Sequence, residues 1–462
     1  MGHCRHLRSG VHRLRDAVMD GGTSFPVSHR HVLIIGGGAS GALMAVHLLR
    51  SSAATRVTIV ERSQMLGCGV AYSTENPDHL LNTRAQNMSA FPDDPDHFVR
   101  WLAANEETKD ATPTCFVGRQ IYGRYLASLI AIWRDDRLRC VAGECLKVEE
   151  TSSGIAAQID DGTTVLADLA ILATGHAVPG PSAQDVRSGW DFSPPSGKHA
   201  SVVIIGTGLS MVDHIVSLLG NNHRGPVTCL SRRGLLPQVH AEGHASPFSR
   251  AEVPLGASVS HLLKWLRSRV RATEVDGGTW RDVVDGLRPH VTAIWRAWDT
   301  ETRRRFLRHA ASWWEVHRHR MPPQSAELIA RARASGQLEI VKARFDDATH
   351  LGVRTTVLIT PVGAPQHPIM ADHVIDCRGI RRNPATDGAP VIVDLLKRGV
   401  GRLDALNLGV DTTEEAQLVS AGGLASEHLF AIGPCARGAL WEITAIPDIR
   451  AQCAALADTI CR

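Results

Sequence analysis

Several features that would settle the class of a protein at once are missing here. The ten cysteines include no C-x-x-C pair, and the closest two, Cys140 and Cys145, have neither disulfide-framework nor zinc spacing. Such usage suits a reducing compartment, and a cytoplasmic location is expected. Twenty-three histidines are present without an H-E-x-x-H or comparable cluster, so no metal is predicted. No apolar run reaches the roughly 18 residues needed to cross a bilayer, which argues against a membrane partner. Charge of one sign is also missing: the net charge is only +3, too balanced to suggest nucleic acid. Residues 1–30 are basic and contain Gly and Ser, with no long apolar centre. They read as a disordered tail and not as a secretory signal. What remains is a composition ordinary for a globular protein, 44% hydrophobic and 21% charged. At 462 residues the chain exceeds one compact core, and two domains or more are expected.

The chain is organised around His31 to Glu61, HVLIIGGGASGALMAVHLLRSSAATRVTIVE. Val32 to Ile35 form a β-branched apolar run that enters Gly36, Gly38 and Gly41 in G-x-G-x-x-G spacing. A helical apolar pattern then leads to a second strand, Val57 to Val60, ending at Glu61. The first glycine permits a tight turn, the second close approach of the backbone to a pyrophosphate, and the third tight helix–strand packing. The helix N-terminus, through Ala39 and Ser40, faces the phosphate charge. Glu61, with Arg62 beside it, stands where a carboxylate can accept bonds from ribose hydroxyls.

From Glu61 to Asp96 the chain is rich in Gly, Asn, Asp and Pro, and reads as a loop lining a site. Gly69, Asn82, Asn87 and Met88 are candidates for contact with a ring. Helices are predicted at Phe98 to Leu102 and Tyr122 to Ile130. Short antiparallel strands are predicted at Leu146 to Val148, Ile155 to Ile159 and Thr164 to Leu166, around the turn Asp160-Asp161-Gly162. An apolar strand then ends in Ala173-Thr174-Gly175, which adds Gly175 to the candidates.

The same unit then begins again. Val202 to Ile205 precede Gly206-Thr207-Gly208-Leu209-Ser210, with Met211 where the third glycine would stand. Ser231 follows Gly206 by 25 residues, the offset that separates Glu61 from Gly36. This second unit ends in Ser231-Arg232-Arg233 and has no acid. Paired guanidiniums there can hold a 2′-phosphate, which favours NADP over NAD. Residues from about 250 to 335 are Arg- and Trp-rich. Glu274, Asp276, Asp282, Asp285, Asp299 and Glu301 interrupt the basic stripe, so it reads as a solvated helical insertion and not as a nucleic-acid surface. Strands resume at Leu338 to Val341, Thr355 to Ile359 and His373 to Asp376, the last ending in Cys377-Arg378-Gly379. The two Gly-terminated strands are read as the crossings between domains. After a strand and turn ending at Gly433-Pro434, Leu440 to Ile460 is predicted to close the chain as a helix.

Taken together, IIGGGASG, GCGVAYSTENPDHLLNTRAQNMSAFPDDP, YGRYL, VVIIGTGLSMVD, SRRGLLP, VHRHRMPP and FAIGPCARGALWEITAIPDIRAQ carry a resemblance. The chain resembles two-dinucleotide-binding-domain flavoproteins, and more narrowly the FAD/NAD(P)-binding family related to flavin N-hydroxylating monooxygenases and urate or aspartate hydroxylases. The resemblance implies an α/β fold of two nested Rossmann-like domains. An FAD domain (31–198 and 380–462) is interrupted by an NADPH domain (199–379). It implies FAD on Gly36, Gly38, Gly41 and Glu61, with Gly433, Ile446, Pro447 and Asp448 by the flavin. NADPH is expected on Gly206, Gly208, Ser210, Ser231, Arg232 and Arg233. Pro434 departs from the Asp that many flavoproteins carry after that glycine. The expected activity is an FAD-dependent NAD(P)H oxidoreductase, a monooxygenase acting on a small molecule with O2 through a flavin hydroperoxide. A flavin reductase or dehydrogenase with another acceptor, and a redox-sensing flavoprotein, are the alternatives. No catalytic side chain is nominated, because the cofactor carries that chemistry.

Overall fold

The strand Arg30–Ile35 alternates its contacts, and the first domain is layered accordingly. Side chains of successive strand residues point to opposite faces. Val32 and Ile34 pack with the helices Ala39–Ser51, Arg119–Ala131 and Ile446–Ile460 on one face. Leu33 and Ile35 pack on the other with Val148, Ile155 and the helix Pro390–Arg398. With both faces covered, Val32 to Ile35 can be apolar without a break. The coordinates are a computed structural model that describes residues 30–63, 65–133, 136–177, 186–243, 245–379 and 383–462. The reading of residues 1–29 as a tail lies outside them.

The first sheet has six strands, in the order Gln417–Val419, Ala425–Ala431, Leu169–Leu172, Arg30–Ile35, Thr55–Glu61 and Leu138–Ala142. Its centre is parallel, with Val32 opposite Val57 on one side and Leu169 on the other. The three strands expected around Asp160 form their own antiparallel sheet, Cys145–Thr151, Gly154–Ile159 and Thr164–Ala167.

The second sheet repeats this plan around Val202–Ile205. That strand pairs in parallel with Val227–Ser231 and His373–Asp376. Leu338–Leu351 is longer than its sequence pattern suggests. It runs parallel to Val227–Ser231 up to Lys342, then pairs antiparallel with Arg354–Pro361, with a register shift between Phe345 and Asp347. The short strand Val186–Ser188 joins the far edge, beside His373–Asp376. The second sheet therefore takes up the chain earlier than residue 199, in a V-R-S segment too short to show a period.

A set of polar contacts docks the two domains. Arg119 meets Asp213 at 2.8 Å, and both side chains are largely buried. His79 Nε2 lies 2.7 Å from Ser217 Oγ, to which Asn76 also donates at 3.1 Å. His240 and the carbonyl of Asn82 are 3.0 Å apart.

The insertion is helical, as expected; its outer helices Val259–Val275 and Thr300–His309 have no buried residue, but its centre is packed. Its helices, from Val259–Val275 to Ala311–Arg318, share a core built on Trp295, Trp298 and Leu287. That core takes in Trp441 of the C-terminal segment, whose ring stacks on Trp295 at 5.1 Å. Trp295 also donates from Nε1 to the carbonyl of Gly438 at 2.9 Å. Of the interrupting acids, Glu274, Asp276, Asp299 and Glu301 are exposed, whereas Asp282 completes the capping box of the helix Trp280–Leu287 and Asp285 pairs with Arg320. The C-terminal helix is shorter than expected and begins at Ile446, with Pro447 in its first turn, where proline's missing N–H costs nothing. Residues 440–445 turn instead, and Glu442 points into the interior.

Candidate functional site

Both glycine turns open into one cleft of about 1450 Å³ that runs between the domains and reaches the insertion. The two turns are built alike. Gly36, at φ +103°, donates to the carbonyl of Val60 at 2.9 Å, and Gly206, at φ +113°, donates to that of Leu230 at 2.8 Å. A Cβ on Gly36 would stand 2.5 Å from the carbonyl oxygen of Ala173, and one on Gly206 would stand 2.4 Å from that of Cys377. Each of these carbonyls belongs to the exit of a Gly-terminated strand. The repeated sequence unit is thus a repeated contact, in which the exit strand presses on the turn and only glycine fits.

In the first domain, Gly38 faces Gly69 across the cleft wall: a Cβ on Gly38 would lie 3.3 Å from Gly69 Cα. Two bare backbones leave a gap that side chains would fill, as a pyrophosphate cradle needs. The helix Ala39–Ser51 beyond it has no acidic residue in its first turn. Glu61 is anchored on both oxygens, by the N–H of Gly37 at 2.6 Å and of Ser63 at 2.8 Å. Each oxygen keeps a further lone pair for a ribose hydroxyl. Ala39, Ser40, Arg62, Asn82, Met88, Gly175 and Ile446 also line the cleft. Gly41 works behind it, since a Cβ there would strike the carbonyl of Gly36 at 1.9 Å.

Four candidates are placed otherwise. Asn87 is exposed, outside the cleft wall, at the end of a single 3-10 turn. Gly433, at φ +66°, backs onto Ser40, and its N–H is taken by Gln452 at 2.8 Å. Pro447 and Asp448 do not line the cleft, because the helix turns them aside and Arg288 holds Asp448 at 3.0 Å. Pro434 and Ile446 are the parts of those segments that reach it.

In the second domain Gly206, Gly208, Ser210, Ser231, Arg232 and Arg233 all line the cleft. A Cβ on Gly208 would meet nothing within 4 Å, so the wall there is open. Ser231 Oγ accepts from the N–H of Gly234 at 3.1 Å, which ties the loop that carries the arginines. The two arginines differ. Arg232 is exposed, whereas Arg233 donates to the carbonyls of His309 and Arg308, each at 3.0 Å.

Sequence reasoning missed the end of the cleft between the insertion and the C-terminal segment. Arg318, His319, Glu315, Arg437 and His176 line it. His176 is driven down to about 3 by burial and by Arg437, and His319 to about 4 by burial and by Arg318, so both are neutral near pH 7. Burial disfavours the charge of Glu442, yet the Arg318 guanidinium and the Trp314 N–H bring its carboxyl below the usual range. The signal was present in VHRHRMPP, but a basic run at a helix end reads as solvated until packing buries it.

Residues 33–177 match the family of FAD-NAD(P)-binding domains. No curated protein matches the sequence. The chain is similar in fold to the ornithine N-hydroxylase of Kutzneria sp. 744, solved with reduced FAD, NADP+ and L-ornithine (14% identity, TM-score 0.65, 94% of this chain and 99% of that one). It is also similar to the L-lysine 6-monooxygenase of Pseudomonas syringae (13%, TM-score 0.62, 94% and 99%). A third likeness is to the thioredoxin reductase of T. acidophilum (14%, TM-score 0.50, 94% and 100%). The fold is therefore that of two-dinucleotide-binding-domain flavoproteins, and it carries an FAD-NAD(P)-binding domain at its N-terminal end.

Proposed function

We propose that this chain is an FAD-dependent, NADPH-using monooxygenase that hydroxylates a small molecule. The observation that carries the reading is the pair of matched glycine cradles opening into one cleft whose far end is lined by Arg318, His319 and His176. The likeness in fold to ornithine and lysine hydroxylases over 94% of the chain supports it. In this reading FAD belongs to the domain formed by residues 31–177 and 383–462, and NADPH to residues 186–379.

Bound FAD would supply the chemistry of accepting a hydride and activating O2. The protein's own part is positional. Gly38 and Gly69 admit a pyrophosphate, and Glu61 orients a ribose. Gly208 opens the second cradle, and Arg232 with Arg233 takes a 2′-phosphate. The insertion, packed on Trp441, walls the far end of the cleft through Glu315, Arg318 and His319.

The test is to follow NADPH consumption and peroxide release across a panel of purines, amino acids and amines. One compound should raise consumption while peroxide stays low, as expected of hydroxylation. A protein that binds FAD but never oxidises NADPH would overturn the reading.

A further inference from the structure

The chain has only three tyrosines, and all three stand together. Tyr122 and Tyr125 lie about one turn apart on the helix Arg119–Ala131, with ring centroids 5.6 Å apart. Between them, Gly123 lets the short helix Gly69–Tyr72 press against this one. A Cβ on Gly123 would stand 2.9 Å from both the carbonyl oxygen of Tyr72 and Cys68 Sγ. The close approach brings the Tyr72 ring to 4.9 Å from Tyr122. On the other side, Trp101 of the helix His97–Ala103 meets Tyr125 edge-on at 5.5 Å. The run YGRYL thus builds a line of four oxidisable rings. Tyr72 lines the cleft, Tyr122 and Tyr125 are fully buried, and Trp101 is half-buried at the outer end.

The hydroxyls differ in a way that packing does not require. Tyr122 Oη is buried and, among the described residues, has no hydrogen-bond partner. A phenylalanine would fill the same space without that cost. Tyr125 Oη accepts from the N–H of Ala90 at 3.1 Å and lies 2.8 Å from His97 Nδ1. Burial holds His97 below its usual range, so its ring is neutral near pH 7 and Nδ1 can take the phenol proton. A tyrosine that loses an electron becomes a strong acid, and its radical rests where a base waits. The radical therefore passes Tyr122 and rests at Tyr125. At the inner end, Cys68 and Met88 line the same cleft as Tyr72, and both are side chains that oxidation damages.

We propose that Tyr72, Tyr122, Tyr125 and Trp101 form a one-electron relay that drains oxidising equivalents from the cleft to the surface. The oxygen chemistry that would load it rests on the monooxygenase reading, but the relay itself does not. An oxygen radical such as hydroxyl takes an electron from Tyr72 and a proton from water, and leaves as water. Tyr125 refills Tyr72 through Tyr122 and passes its phenol proton to His97. Trp101 then returns an electron to Tyr125, which recovers its proton from His97. A soluble thiol refills Trp101 and releases its proton to solvent, so the net reaction turns hydroxyl radical and thiol into water and thiyl radical.

The experiment is pulse radiolysis of the full-length protein with azide radicals, which remove one electron from accessible indoles. Tryptophanyl absorbance should give way to phenoxyl absorbance in a first-order step that does not quicken with protein concentration. All phenoxyl signal comes from this group, because the chain holds no other tyrosine. Tyr125→Phe keeps the shape of the ring and should slow the step at least tenfold; Trp101→Phe should slow it at least threefold. A concentration-dependent step, or an unchanged rate in Tyr125→Phe, would overturn the relay. The protein is also incubated with FAD and NADPH in air, and its oxidised side chains are located by mass spectrometry. Oxidation should gather at Trp101 in the wild type, and Tyr125→Phe should shift it at least tenfold towards Cys68 and Met88. The same distribution in both proteins would overturn the relay's task of draining the cleft. A protein that shows the radiolytic step but never consumes NADPH would refute the monooxygenase reading and leave the relay standing.

Discussion

At the scale of single residues, the glycines and the arginine pair carry the testable content. Gly38→Val would push a branched side chain at Gly69, whose Cα is 3.3 Å from even an ideal Cβ. The cradle closes, and the purified variant should be colourless; a wild-type ratio of flavin to protein absorbance would show that no pyrophosphate passes there. Arg232 and Arg233 separate into two experiments. Arg233 already donates to two carbonyls of the insertion, so its removal disturbs packing as well as phosphate binding. Arg232 is exposed and isolates the phosphate contact. Arg232→Ala should cost about 1.5–3 kcal/mol of NADPH affinity, as expected for one charge-assisted hydrogen bond. NADH binding should stay unchanged, because it has no phosphate to lose. Stopped-flow reduction with both nucleotides checks this, and an equal loss for both would assign Arg232 to something other than the phosphate. Glu61 and both turns were legible from spacing alone. Arg318 and His176 were not, since burial of a charged or titratable group depends on which distant segment covers it.

At the scale of elements, the insertion and the C-terminal segment behave as one unit. Trp295 is fully buried, stacks on Trp441 and donates to Gly438. Trp295→Ala should therefore destabilise the protein by about 3–5 kcal/mol, the usual cost of a large aromatic cavity. The loss should be read as a lowered urea midpoint, and a shift of under 1 kcal/mol would mean that the insertion stands apart from the C-terminal segment. The strands and helices of both dinucleotide units follow from period and glycine placement. The insertion's helices were equally readable, but their environment was not. Glu274, Asp276, Asp299 and Glu301 stay in water, as alternating charge suggests, whereas Asp282 completes a helix capping box and Asp285 pairs with Arg320 on the packed side. The start of the last helix was misjudged for a similar reason: Leu440 to Ala445 has helical composition, but Glu442 is drawn inward by Arg318 and Trp314.

At the scale of the whole molecule, buried histidines gather where separate parts meet, and this fixes the response to acid. His240 approaches the Asn82 carbonyl across the domain contact and is held at about 4 by burial, despite that bond. His214, next to the Gly189 carbonyl and Phe192, is also held at about 4 by burial. His319 stands at about 4 and His176 at about 3, at the junction of the cleft with the insertion. Unfolded histidines take up protons near 6.5, whereas these four refuse them until pH 3 to 4. Below 6.5 the unfolded chain therefore binds more protons, and stability falls as pH falls. The contribution is fully present above 6.5 and is lost progressively towards pH 4, by up to about 1.4 kcal/mol per pH unit for each histidine. Carboxylates act in a different window: Asp372, held below its ordinary 3.8 by Ser201, loses its contribution only under more acid conditions. Urea unfolding at pH 7, 6 and 5 should show the decline already between 7 and 5, above the window in which Asp372 titrates. His240→Asn offers an amide to the same carbonyl without a titrating ring, so it should reduce the slope by about one proton's worth. A flat stability profile from pH 7 to 5, or an unchanged slope in His240→Asn, would show that these rings reach solvent and protonate without opening the domain contact.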